Sequence, residues 1–207
     1  MPWWGAVSAA AAPVLLLGGL TAAGGLQSPG FDAFNNTVSA LAGTGASYSW
    51  IMTFTFVVVA ACDILTALAL RPAARAGRIV LAAAGLAGMM VAVFPEHLGG
   101  SLIHACWAAA GFGGLIMWPV FARRPGRGVP WGLRPVTCFA ATALLSALTV
   151  WFAVEQARRG AHLGVAERAA GLTQTAWPVC VVMSCRRGRP GDLAEAVSAP
   201  DDSVLGT

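Results

Sequence analysis

The sequence predicts an all-α polytopic membrane protein, a single bundle of about six transmembrane helices, and three observations carry that prediction. Hydrophobic residues make up 57% of the chain and charged residues only 11%, where soluble domains carry about 25% charged residues. Mean hydropathy is +0.69. The apolar residues also gather into windows long enough to cross ~30 Å of hydrocarbon at ~1.5 Å per residue.

Those windows are residues 4–23, 50–70, 79–94, 102–121, 136–154 and 169–185. The first has no basic segment before it and is as long as a full span, so it is expected to stay as a helix and not to be cleaved as a signal. The second is apolar or weakly polar throughout except for Asp63. The third is short, bounded by Arg78 and Glu96, so either the bilayer thins there or the arginine snorkels. The fourth and fifth are of adequate length to span. The sixth carries Gln174, which is expected to face the bundle because an amide facing lipid has no partner, and Pro178, which is expected to kink it. Runs of small residues at 9–12, 82–88 and 108–114 offer faces where helix backbones approach closely. Residues 1–185 are therefore expected to form the membrane domain, and the polar, Pro/Gly-rich stretch 186–207 a disordered cytoplasmic tail.

All the basic side chains are arginines. Arg71, Arg75 and Arg78 follow the second window, Arg123, Arg124, Arg127 and Arg134 the fourth, and Arg186, Arg187 and Arg189 the sixth. These segments share one side, which the positive-inside rule makes the cytoplasm, with both termini there and the chain multi-pass in the cell membrane. The net charge of +4 thus reflects topology. It does not indicate nucleic-acid binding, since the arginines are split among short loops without aromatic interleaving. The five cysteines all fall inside windows with no paired spacing, as small packing residues do.

Asp63 is the main candidate for chemistry. A carboxylate at the middle of a membrane helix costs roughly 2.5 to 3.5 kcal/mol on insertion scales, so such a residue usually faces a cavity or a partner. A protonated, hydrogen-bonded packing residue is the alternative. The opposite membrane boundary gathers a second polar set. Residues 31–41 hold Asp32, Asn35, Asn36 and Ser39, which share a face if the segment is a short interfacial helix capped by Asp32 or the asparagines. Glu96, His97 and His104 lie between the third and fourth windows, Glu155, His162, Glu167 and Arg168 around the last loop. Glu167–Arg168 reads most simply as an interfacial ion pair. The three histidines with Asp32 or Glu96 would supply a zinc hydrolase, although no HExxH or comparable spacing occurs. Phe54, Phe56, Trp107, Phe112 and Trp177 lie within windows, where aromatic faces either pack or line a cavity that holds a cation.

The order of these landmarks resembles a six-helix bacterial membrane family, the domain of unknown function nine-nine-eight. The resemblance covers about residues 31–187. It rests on Asn36-Thr37-Val38-Ser39-Ala40-Leu41-Ala42-Gly43 before the second window, on Val93-Phe94-Pro95 followed by His104, and on Gly164-Val165-Ala166-Glu167-Arg168 leading to Trp177. It implies a small or apolar residue at the middle of the second helix, from which Asp63 departs. The chain is also similar in kind to small actinobacterial membrane-bound terpene cyclases acting on prenylated natural products such as farnesylated indoles. That likeness implies a protonation-initiated cyclisation with a carboxylic acid as donor, without cofactor or metal. A carboxyl buried in hydrocarbon keeps its proton because the charged form is the costly one. No DxDD or DDxxD motif occurs.

On this reading Asp63 is the proton donor, with Glu96 or Asp32 as rival acids working beside Glu155 or Glu167. Asn36, Ser39, Phe54, His104, Trp107, Phe112, Gln174 and Trp177 are expected to bind a hydrophobic prenylated molecule or lipid. Asp63 stands about 20 Å down its helix from Trp50. It therefore cooperates with the outer polar set only if one chamber connects them. A lipid-binding or transport protein, coupled to protonation of Asp63, is the reading without chemistry.

Overall fold

The computed structural model describes residues 1–97 and 101–187. These fold as helices α1 (Trp3–Gly25), α2 (Val38–Ala42), α3 (Ser49–Ala69), α4 (Arg75–Val93), α5 (Leu102–Ala122), α6 (Pro135–Arg158) and α7 (Leu163–Arg187). α1, α3, α4, α5 and α6 are long and apolar enough to cross a membrane. At 25 residues α7 is also long enough, since ~20 residues span the hydrocarbon. Its composition is more polar because its neighbours are protein: Glu167, Gln174, Thr175 and Ser184 are all buried. Most of the expected tail, and Gly99-Gly100, lie outside the described residues.

The six long helices form a closed ring in chain order, each packed on the next and α7 returning to α1. Small residues set the tight side of that ring. On Gly85 of α4 a Cβ would press on the Ala60 carbonyl and Ile64 of α3, both at 2.8 Å, and on Gly114 of α5 it would meet the Ala84 Cβ at 2.8 Å. α3, α4 and α5 can therefore lie closer than any side chain would permit. α5, α6 and α7 are packed more loosely.

The arginine-rich end is closed by backbone bonds between loops. The Ala74 amide donates to the Ala122 carbonyl and the Arg124 amide to the Leu133 carbonyl, at 3.1 and 2.8 Å. Beneath them an apolar cluster including Leu81, Trp118, Leu133, Val181 and Val182 fills the ring. α4 starts earlier than the apolar window, at Arg75. Arg78 is accommodated by folding back, its Nε and Nη2 donating to the Ala67 and Leu68 carbonyls at 2.8 and 3.0 Å. Those carbonyls belong to the last turn of α3, where helix bonding runs out and a cation is favoured.

At the opposite end the segment 26–48 crosses the ring. Residues 32–36 form a turn: the Asn36 amide donates to the Asp32 carbonyl at 2.7 Å, and Asp32 Oδ1 accepts from the Phe34 amide at 2.9 Å. Helix begins only at Val38, and Thr37, not Asp32 or an asparagine, caps it by accepting from the Ala40 amide at 2.9 Å. The expected shared face of Asp32, Asn35, Asn36 and Ser39 does not form, because Asp32 spends its carboxylate on its own turn. Ser39 alone of the four is helical.

Candidate functional site

Between the helices lies a half-open chamber of about 140 Å³. Its lower wall on α3 is Phe56, Val59, Ala60 and Asp63; α4 adds Ala84, Gly85, Gly88 and Val91, and α5 Ala108, Gly111, Phe112 and Leu115. α7 supplies Glu167, Arg168, Gly171, Gln174 and Thr175, α1 Leu16 and Leu20, and α2 Val38 and Ser39. The volume is close to that of a cavity of roughly 150 Å³ that admits benzene, so it holds one ring or prenyl terminus, with the rest of a longer molecule outside.

Asp63 is 4% exposed. Among the described residues its carboxyl has no hydrogen-bond or ion-pair partner, and the side it leaves open is the chamber. A buried polar group without a partner is rare in a folded protein. Gly85 is why it has room, since the Asp63 Cβ would stand 3.4 Å from a Cβ there. One turn toward the arginine-rich end, Thr66 Oγ1 of α3 and Ser8 Oγ of α1 share a hydrogen bond at 3.0 Å, so these two hydroxyls are engaged with one another.

Gln174 is 1% exposed. Thr149 Oγ1 donates its one proton to the Leu145 carbonyl at 2.9 Å and so can only accept from Gln174 Nε2, at 3.1 Å. That orients the amide. Its Oε1 is left buried without a partner among the described residues.

At the far end of the chamber Glu167, 5% exposed, joins α7 to α2. Oε2 accepts from the Val38 amide at 2.6 Å and Oε1 from Ser39 Oγ at 3.2 Å. Arg168 turns the other way, its Nη1 donating to the carbonyls of Ala33, Asn36 and Gly164 at 2.8, 2.9 and 2.8 Å. The bonds of the two residues thus go to the crossing segment and not to each other as the expected interfacial pair. The signal that locates Glu167 was present in the sequence: Glu167, Gly171, Gln174, Thr175 and Pro178 recur at helical spacing, marking a face that does not meet lipid.

The ring therefore brings Asp63, Ser39, Phe112 and Gln174 to one chamber. The other expected site residues lie elsewhere. Asn36, Glu96 and His97 line a separate hollow on the far side of α2, with Gln27 and Phe31. Asp32 is held in its turn. His104 is buried, Nδ1 donating to the Phe94 carbonyl at 2.8 Å, and so pins the α4–α5 corner. Phe54 is 65% exposed on the outside of α3 and Trp107 37% exposed on α5, as lipid-facing aromatics are. Trp177 packs edge-on against Trp131, centroids 6.3 Å apart, toward the arginine-rich end. The connection sought for Asp63 exists, but it leads to Glu167 and not to Glu96 and His104. The histidines do not converge with carboxylates: among the described residues no group of three or more His, Cys, Asp and Glu side chains is placed to hold a metal ion.

Residues 9–184 match a family described as "Protein of unknown function (DUF998)". The chain belongs to the DUF998 family. Its apolar helices make it a multi-pass helical membrane protein, and the family description assigns no activity. No curated protein and no solved structure matches the chain.

Proposed function

We propose that this DUF998 protein is a membrane terpene cyclase that starts ring closure by protonating a prenylated natural product of farnesyl type. The observation that carries the proposal is Asp63, a buried carboxyl without a hydrogen-bond partner among the described residues, open to a chamber whose other walls are mostly apolar. The acid transfers its proton to a terminal alkene or epoxide, and the neighbouring double bond attacks the resulting cation to close a ring. A proton is then lost from the adjacent carbon. Phe56 and Phe112 offer π faces to the cation along the way, and the apolar walls keep water from capturing it. The prenyl end occupies the chamber while the remainder, a hydrophobic aglycone or a lipid-like tail, stays outside. The arginine-rich end, with both termini, faces the cytoplasm.

The test uses the full chain purified in detergent, incubated with farnesol and with 3-farnesylindole, and followed by mass spectrometry. Asp63→Asn is expected to lower conversion by about 10²- to 10⁴-fold, the usual worth of a general acid, while the thermal unfolding profile is retained. Normal turnover by that variant would sink the donor role. Binding without conversion by the unaltered chain would make the protein a carrier of such molecules and not a cyclase.

A further inference from the structure

A cyclisation that begins with a proton must end by giving one up, and the chamber holds a second carboxyl. We infer that Glu167 is the base that receives the terminating proton, so that Asp63 and Glu167 divide acid and base duties at the two ends of one chamber. The inference rests on the cyclase reading. It is carried by the contrast between the two groups. Among the described residues Asp63 accepts no hydrogen bond and makes no ion pair, and its carboxyl lies open to the chamber. Glu167 accepts from the Val38 amide at 2.6 Å and from Ser39 Oγ at 3.2 Å, and donors of this kind stabilise the charged carboxylate specifically. Two carboxyls on one chamber, one held by donors and the other making no such bonds, are an arrangement that can sort acid from base.

The helix register fixes their separation along the bundle. Ser8 bonds Thr66, Gly19 lies against Thr55, and Gly171 lies against Leu16. Asp63 is therefore level with Thr175 or the residue after it, and Glu167 stands about 12 Å outward at ~1.5 Å per residue. A prenyl chain with its terminus at Asp63 and the rest of its length running out through the open side of the chamber reaches both. Its terminus is protonated at Asp63, the cation migrates along the chain as rings close, and a C–H proton beside the final cation passes to Glu167 as the double bond forms. The reaction is an isomerisation without oxidant or reductant. Water at the α2 end takes the proton from Glu167, and Asp63 regains one before the next turnover.

Infrared spectroscopy of the full chain near neutral pH tests the assignment without a substrate. Asp63→Asn is expected to remove a protonated-carboxyl stretch that Glu167→Gln leaves in place, and Glu167→Gln to remove carboxylate intensity that Asp63→Asn leaves in place. The reverse pattern overturns the inference. Product analysis with 3-farnesylindole in D2O adds the catalytic readout. Glu167→Gln is expected to keep the single deuterium delivered at initiation but to lose the native product in favour of a mixture of double-bond isomers and water-captured alcohol. Ser39→Ala, which removes one donor and leaves the carboxylate, is expected to shift the mixture in the same direction by less. An unchanged product from Glu167→Gln overturns the base while leaving Asp63 as the acid. Failure of the unaltered chain to convert any farnesyl probe overturns the cyclase reading and the base with it.

Discussion

Gln174 is the residue at which a polar atom is most clearly left over in this bundle. Its Oε1 is buried without a partner among the described residues, and an unsatisfied buried acceptor costs roughly 1–3 kcal/mol. Gln174→Leu keeps much of the side-chain volume and removes the orphaned oxygen, so it is expected to hold or raise the midpoint of thermal unfolding in detergent while weakening binding of a farnesyl probe. A clear drop in stability would make the amide a structural strut. Arg168 is the opposite case. Its Nη1 holds three carbonyls of the crossing segment and the start of α7, and a hydrogen bond to a charged group is worth about 1.5–3 kcal/mol. Arg168→Ala is expected to expose residues 26–48 to limited proteolysis at rates at least tenfold above those of the unaltered chain. Both residues were visible in the sequence as polar intrusions. What was not visible is that Glu167 and Arg168, adjacent in the chain, point ~100° apart around α7 and so serve different partners.

At the scale of an element, α4 depends on having no side chain where it meets its neighbours. Gly85→Ala would force its Cβ to 2.8 Å from the Ala60 carbonyl and Ile64, backbone and a branched side chain that cannot yield cheaply. It is expected to cost about 1–3 kcal/mol and to deform the chamber wall beside Asp63. Gly18→Ala in α1 meets nothing within 4 Å and serves as the control, neutral or better by up to about 1 kcal/mol from helix propensity. Unfolding of both in the same detergent checks the difference. The small-residue runs at 82–88 and 108–114 announced close packing. They did not say which helix approaches which glycine, because the same stripe fits either neighbour. α2 is the element the sequence located least well. A capped helix starting at Asp32 and the turn actually formed use the same residue types, since Asp and Asn favour both.

For the whole molecule, the orientation prediction is the most direct. Green fluorescent protein fused after Arg187 is expected to fluoresce, whereas alkaline phosphatase inserted between Ser28 and Gly30 is expected to be active, placing the arginine-rich end inside the cell. The reverse pattern would show that the arginine bias does not set topology here. Composition and periodicity by themselves determined the class, the positions of the spans to within a few residues at most of their ends, and which end of the bundle carries the arginines. They sufficed because the bilayer permits few solutions: backbone polar groups must be satisfied within helices, and helices must be long enough to cross. Only the tertiary structure decided which polar residues share a cavity. Asp63 and Glu167 are more than a hundred positions apart, and their meeting depends on α7 closing the ring against α1. Glu96 and His104, nearer to Asp63 in the chain, are turned away by the α4–α5 corner. Helical spacing tells which residues share a face of one helix; which faces look into a common space is set by how side chains of particular sizes let neighbouring helices pack.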